Sequence, residues 1–152
     1  MDFDALNERS IMYNKIILSI VGEQLVGDEM NRTEFITEGR YTEEGGKKRL
    51  EYDESIMVGE VGSVTSIEFD GDTISLMRTG NSFSHMVFRL NKKCLNLYHT
   101  ENGDVQMGVY PVHVKCDMDK SRGEVDLTYQ LDIAGTYASL NQLNISYSQP
   151  KN

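Results

Sequence analysis

The sequence predicts an all-β protein, folded as a single antiparallel β-barrel of eight to ten strand segments. Apolar and polar residues alternate with a period of two from Lys15 onward, and the alternation is clearest over residues 125–133. That period is typical of a strand with one face in a core and one face in water. Pairs of turn-forming residues recur at short intervals, as in antiparallel hairpins. No long helical pattern interrupts them.

Composition fits one small acidic domain. The chain has 152 residues, with 15 Lys plus Arg against 24 Asp plus Glu, so its formal net charge is −9. An acidic surface repels phosphates, so we expect neither nucleic acid nor an anionic membrane as a partner. The acidic N-terminus and the short apolar run at residues 16–21 resemble neither a secretion signal nor a membrane span. Cys94 and Cys116 lie far apart, and we expect them to be reduced thiols in a cytoplasmic protein.

The elements follow in order along the chain. Residues 1–14 are predicted to be an N-terminal extension, either a helical turn or disordered. Residues 15–148 form the barrel domain, and residues 149–152 form a tail. Three two-residue turns are clear, at Gly45-Gly46, Asp70-Gly71 and Asn102-Gly103. Three weaker turns are placed at Asn91-Lys92, Arg122-Gly123 and Ala134-Gly135.

These turns predict which residues face each other. A turn at Asp70-Gly71 places Phe69 opposite Asp72, Ile67 opposite Ile74, Thr65 opposite Leu76 and Ser63 opposite Arg78. A turn at Gly45-Gly46 places Tyr41 opposite Leu50, Gly39 opposite Tyr52 and Thr37 opposite Glu54. In the last hairpin, Leu131 is expected opposite Ala138 and Tyr129 opposite Leu140. The apolar phase then changes, because Leu143, Ile145 and Tyr147 occupy odd positions. A β-bulge near Asn141-Gln142 would absorb this change and bend the strand.

Two charged residues end otherwise apolar strand faces, Arg78 in one hairpin and Glu54 in the other. In a barrel both faces point inward, where an unpaired charge is costly. Either Arg78 binds a ligand carboxylate or phosphate with Glu54 orienting it, or the two form an internal ion pair. Tyrosines on these faces are typical both of a lumen that holds a ligand and of an ordinary core. The candidate lumen residues are Arg78, Glu54, Tyr52, Thr65, Tyr129 and Tyr41.

Other chemistry is not favoured by the sequence. Motifs for a nucleophilic serine, a phosphate-binding loop or a zinc helix do not occur in it. His85, His99 and His113 are evenly spaced, but hairpin geometry separates His113 from the others, so we expect no metal site. We also expect no cofactor and assign no catalytic residue.

Several segments together resemble the YwiB-like family of bacterial proteins of unknown function. They occur in the family's order and span most of residues 16–147. The segments are Gly39-Arg40-Tyr41, residues 50–55, 64–67 and 77–80, Met86-Val87-Phe88, residues 98–103, Met107-Gly108-Val109 and Tyr129-Gln130-Leu131. The resemblance implies a calycin-like barrel, similar in shape to lipocalins, in the bacterial cytoplasm. It supplies no catalytic residues.

Three functions remain in order of preference. The first is a non-enzymatic binder of a small, partly apolar and anionic molecule in the lumen. The second is a structural or regulatory module with a side-chain-filled barrel that binds a protein partner or a second copy of itself. The third is an enzyme with a lumen site.

Overall fold

The structure, a computed structural model, describes residues 13–53, 63–80 and 84–151. These ranges form ten β-strands and contain no helix, which confirms the predicted all-β class. The strands are β1 (Tyr13–Val26), β2 (Glu29–Glu44), β3 (Lys47–Asp53), β4 (Val64–Asp70), β5 (Thr73–Thr79), β6 (Ser84–Phe88), β7 (Cys94–Thr100), β8 (Gly103–Met118), β9 (Arg122–Ile133) and β10 (Thr136–Ser148). Consequently no helix in the described residues is long and apolar enough to cross a membrane.

The strands form one antiparallel sheet that curls into a nearly closed barrel. Its order is β6-β5-β4-β3-β2-β1-β10-β9-β8-β7, so the first and last strands of the chain are hydrogen-bonded neighbours. The seam therefore lies between β6 and β7. In the described part of the chain, the connection between these two strands holds one isolated bridge, Arg89 with Lys92, and β6 lies against both β7 and β8.

The up-and-down course gives the barrel two ends. We call the end with the turns at residues 45–46, 71–72 and 119–121 the lower end, and the opposite end the upper end. At the upper end, β3 ends at Asp53, β5 ends at Thr79 and β6 begins at Ser84. Residues 1–12, 54–62, 81–83 and 152 lie outside the described residues. Most of the predicted N-terminal extension is among them, whereas β1 begins at Tyr13, two residues before the predicted start of the barrel.

The core fills the lower and middle lumen. It forms because the inward positions of neighbouring strands carry branched and aromatic side chains, which gain free energy when water is excluded. Ile16, Leu18, Leu50, Ile67 and Ile145 are completely buried. The buried apolar residues among those described are Ile16, Leu18, Ile20, Tyr41, Leu50, Tyr52, Ile67, Ile74, Leu76, Phe88, Val109, Met118, Val125, Leu127, Ile145 and Tyr147.

Two hairpin turns have the predicted position. Glu44 pairs with Lys47 across Gly45-Gly46, so that Tyr41 faces Leu50 and Gly39 faces Tyr52 as expected. Ile133 pairs with Thr136 across Ala134-Gly135. Both residues of each loop adopt positive φ. Positive φ at both residues is the conformation of two-residue hairpin turns whose twist matches that of the flanking strands.

Two other turns are displaced by one residue. Asp70 pairs with Thr73 rather than turning itself, and Gly71 takes the left-handed conformation at φ 68°. Thr65 therefore faces Arg78, where Ser63 was predicted, and Ile67 faces Leu76. In the β7–β8 hairpin, Thr100 pairs with Gly103, so the turn is Glu101-Asn102 rather than Asn102-Gly103. Displacing a turn by one residue changes each partner by two positions, which preserves the face of every side chain.

The predicted turn at Arg122-Gly123 is wrong, whereas the turn predicted at Asn91-Lys92 is displaced by one residue, to Leu90-Asn91. Arg122 and Gly123 begin β9, and residues 119–121 make the connection, closed by a bond from the Asp119 amide to the Arg122 carbonyl. Lys92 pairs back with Arg89, and Asn91 supplies the positive φ of that turn.

The bulge in β10 lies nearer its hairpin than predicted. The register shifts between Tyr137 and Ser139, not at Asn141-Gln142. Leu131 consequently faces Ser139 and Tyr129 faces Asn141, where Ala138 and Leu140 were predicted. Leu140 is left on the outside, opposite Leu25 of β1. The bulge thereby brings two polar side chains into the lumen.

Candidate functional site

Polar side chains collect at the upper end of the lumen, whereas the core below them is apolar. Ser63, Thr65, Ser84, Ser139 and Asn141 are all buried. The remaining buried polar side chain in the described residues is Ser66, which lies on the outer face and accepts a bond from Arg49. Burying polar groups costs free energy unless they find partners. This end of the barrel is therefore built differently from a packing core.

Arg78 lies at the centre of this polar end. On β5 it faces Thr65 of β4 on one side and Ser84 of β6 on the other. Its Nε donates to Thr65 Oγ1 at 3.5 Å, a distance at the limit of a hydrogen bond. The predicted pair with Glu54 stays a prediction, because Glu54 lies outside the described residues.

Tyr129 forms an aromatic wall beside Arg78. Its ring meets Phe88 edge to face at 4.9 Å between centroids. Burial raises the pKa of its hydroxyl, and the nearby charge of Arg78 opposes this shift. Tyr129 is thus neutral at physiological pH and offers its hydroxyl as a hydrogen-bond donor and acceptor.

A small amide and hydroxyl network faces the lumen next to Tyr129. Asn141 Nδ2 donates to Ser139 Oγ at 2.9 Å, and Gln24 Nε2 approaches the same oxygen at 3.5 Å. Sequence reasoning missed Ser139 and Asn141 because it placed the bulge at Asn141-Gln142, whereas the register shifts before Ser139. Their odd numbers, in phase with Leu143 and Ile145, were the available signal.

Two of the predicted residues complete the upper lumen. Tyr52 is 3% exposed, and its ring lies 6.3 Å from that of Phe35. Thr65, which is opposite Tyr52 on β4, is also buried. The structure therefore brings Arg78, Thr65, Tyr52 and Tyr129 to one end of the lumen.

The inner face of β1 marks where free space begins. A Cβ built on Gly39 of β2 would lie 2.6 Å from Leu18 Cδ1, because the core there is fully packed. A Cβ built on Gly22, on the inward face of β1 nearer its upper end, meets no atom within 4 Å. Space for a side chain is thus filled at Gly39 and open at Gly22.

The lower end is closed by hydrogen bonds, and Tyr41 belongs there. Tyr147 Oη donates to the Asp119 carbonyl at 2.7 Å and accepts from the Asp119 amide at 3.0 Å. Lys48 Nζ donates to the Met118 carbonyl at 2.7 Å, and Tyr41 donates to Glu43 at 3.1 Å. Tyr41 stacks on Tyr147 at 6.2 Å. Tyr41 is thus the described candidate residue that lies at the lower end, and the core separates it from the candidates at the upper end.

Cys116, on β8 near this lower end, should react slowly with alkylating agents. Burial raises its thiol pKa to about 11, against the opposing effect of Lys48. Only the thiolate reacts. We expect roughly 100-fold slower alkylation near pH 8 in the native protein than after unfolding. The Cys94→Ser variant leaves Cys116 as the single thiol, so mass spectrometry of iodoacetamide labelling with and without urea measures this ratio. Equal rates would contradict it.

A second concave surface lies outside the barrel, across β2 to β4. It encloses about 600 Å³ and is lined by both bases and acids, among them Arg40, Arg49 and Glu51. Arg40 and Arg49 both contact Glu51, Arg49 at 3.3 Å. Arg40 also lies 5.8 Å from the centre of the Tyr13 ring. Glu51 is thus shared by two arginines in this groove.

No group of three or more potential metal ligands occurs among the described residues. His113 of β8 instead lies 3.3 Å from the carboxylate of Asp126 on β9, on the outer face.

The fold places the chain among small antiparallel β-barrel proteins. Among these, the chain belongs to the family described as a domain of unknown function, DUF1934, whose model matches residues 18–145. The structure is similar to the crystal structure of the ywiB protein from Bacillus subtilis, with a TM-score of 0.80 and 18% identity. The match covers 99% of this chain and 100% of that one. It confirms the YwiB-like resemblance and the barrel fold. Comparison with curated proteins gives no match.

Proposed function

We propose that this protein is a non-enzymatic binding module that takes a small, partly apolar molecule with an anionic group into its upper lumen. One observation carries the proposal. The lumen changes from a packed apolar core to a group of buried polar side chains around Arg78, with open space at Gly22. Ligand sites commonly combine apolar walls with a few placed polar groups.

The chemistry of the lining suggests how such a ligand would lie. The guanidinium of Arg78 offers a planar set of donors that suits a carboxylate or phosphate. Asn141 and the Tyr129 hydroxyl offer hydrogen bonds to further polar groups. The rings of Phe35 and Tyr129, which are partly buried, would pack against the apolar part of the molecule.

Catalysis is a weaker proposal for the same site. Tyr129 is the described lumen residue whose pKa is raised by deep burial beside a charge. A raised pKa makes its phenolate scarce at neutral pH, so it is a poor general base or nucleophile there. The free thiols of Cys94 and Cys116 are consistent with binding in the cytoplasm.

Native mass spectrometry of the protein purified from its own host tests the proposal. We expect a reproducible mass above 17.3 kDa that is lost on denaturation and in the Arg78→Met variant. Arg89→Met is the matched control, because Arg89 is exposed and bonds to Thr73 at 3.0 Å, remote from the lumen. Gly22→Leu is a second variant, which fills the open space without removing a charge.

Two outcomes would overturn the binding module. One is a bare chain from the host. The other is a bound mass that survives both Arg78→Met and Gly22→Leu while thermal melting shows each variant folded. Either outcome would favour the filled-barrel interaction module.

A further inference from the structure

A buried amide on the inner face of β7 lacks a hydrogen-bond partner within the described residues. It is Nδ2 of Asn96, which faces Met107 of β8. Cys94, two residues earlier on β7, faces the completely buried Val109. Because alternate residues of a strand share a face, Asn96 points toward the lumen. Met107 in turn faces Ile133, the last residue of β9, so Asn96 lies toward the upper end.

The amide of Asn96 differs from the two other buried side-chain atoms that lack partners in the described ranges, Arg49 Nε and Asp126 Oδ1. Both of those belong to charged groups on the outer face that are paired through another atom. Arg49 bonds to Glu51 at 3.3 Å, and Asp126 Oδ2 lies 3.3 Å from His113. An unpaired donor inside the protein costs free energy, so packing alone does not account for the amide of Asn96.

β6 lies between the strand of Asn96 and the strand of Arg78. Ser84, the first residue of β6, is buried and faces Arg78. On its other side, β6 lies against β7 across the seam. Three neighbouring strands therefore bring a guanidinium, a hydroxyl and an amide to the upper end of the lumen. Several donors in one place are the usual means of binding an oxyanion.

We propose that Asn96 is a binding residue, and that its amide donates to the anionic group that Arg78 binds. This inference rests on the proposed function, because it identifies how the lumen recognises the anionic end of its ligand. The ligand class is an oxyanion with two or more oxygens, so that one oxygen accepts from Asn96 and another from Arg78. The ligand thereby connects β5 to β7 across the seam, where the described residues show no ladder between β6 and β7.

Two fluorescent probes that differ by one anionic group test this assignment. Anilinonaphthalene sulfonate carries a sulfonate, and phenylnaphthylamine is the same aromatic amine without it. In titrations of the full chain, we expect Asn96→Leu to weaken binding of the sulfonate probe about tenfold and to leave the affinity for the uncharged probe unchanged. Asn144→Leu is the matched control, because Asn144 faces Asp126 on the outer side of the sheet. It should bind both probes as the wild type does.

Asn96→Asp separates the loss of a donor from a change of shape, since a carboxylate has nearly the shape of the amide. Its negative charge would face the sulfonate directly. We expect the sulfonate probe to lose its binding and the uncharged probe to keep it.

Stability provides a readout that a structural role of Asn96 would move in the opposite direction. Without a ligand, Asn96→Leu removes an unpaired donor from the interior, so the urea midpoint should not fall. A lower midpoint would show that the amide supports the native fold, and it would overturn the assignment.

The probes also distinguish this inference from the proposed function. If Arg78→Met weakens binding of the sulfonate probe while both Asn96 variants bind it as the wild type does, the inference is wrong and the proposed function stands. If the wild type binds neither probe, or if Arg78→Met binds the sulfonate probe unchanged, the proposed function is wrong and the inference fails with it.

Discussion

The variant Gly39→Ala is expected to destabilise the barrel by about 3 kcal/mol. A methyl group at this position would lie 2.5 Å from the Glu51 carbonyl oxygen and 2.6 Å from Leu18 Cδ1. Leu18 is completely buried, and the Glu51 carbonyl belongs to the backbone of β3. Neither can move without disturbing the ladder between β2 and β3 or the packed core, so the strain cannot be relieved locally.

Gly22→Ala is the matched control, because Gly22 also lies on the inward face, one strand away on β1. A methyl group there meets nothing within 4 Å, and no positive φ is required of the residue. We expect its stability to be unchanged or raised by about 0.5 kcal/mol through the smaller entropy of the unfolded chain. Urea unfolding followed by circular dichroism compares the two. Equal midpoints for both variants would contradict the difference in packing between Gly39 and Gly22.

Most of the fold could be predicted because its signals are local. Strand faces follow from a period of two, which residues such as Val125 and Leu127 display within a few positions. Turn positions were less certain, since Asp70, Gly71 and Asp72 all suit a tight turn. The displaced turn did not move Thr65 or Arg78 from the inner face. A register error of two positions leaves each side chain on the same face of its strand, so the predicted inward direction of Thr65 and Arg78 was unaffected.

What the sequence could not predict depends on the assembled barrel. The bulge at Tyr137–Ser139 is set by how β9 and β10 curve together, so the inward positions of Ser139 and Asn141 were missed. The alternation along a strand also predicts which face a side chain occupies, but not where it lies between the lower and upper ends of the lumen. Tyr41 and Tyr52 share the inward face, yet Tyr41 stacks on Tyr147 at the lower end and Tyr52 lies near Phe35 at the upper end.

Raising the pH above about 10 is expected to unfold the protein progressively. Burial raises the pKa of Tyr41, Tyr129 and Tyr147 in the native state. An unfolded tyrosine ionises near pH 10. Above that pH the unfolded chain therefore binds fewer protons than the native chain, and stability falls as pH rises. Below about pH 10 these tyrosines are protonated in both states, and their contribution to the free energy of unfolding is fully present. Each group that stays protonated lowers the free energy of unfolding by up to about 1.4 kcal/mol per pH unit, less where water partly screens the hydroxyl.

Urea midpoints measured between about pH 8 and pH 12 test this expectation. In Tyr129→Phe the midpoint should fall less steeply with pH, because one ionising group has been removed from the buried set. Tyr137→Phe is the matched control, since Tyr137 is 53% exposed, and its profile should follow the wild type. Absorbance at 295 nm should show the buried tyrosines ionising only as the fold is lost. If all 8 tyrosines ionised together while circular dichroism stayed native, the lumen would be wet rather than packed, and the contrast between its two ends would be wrong.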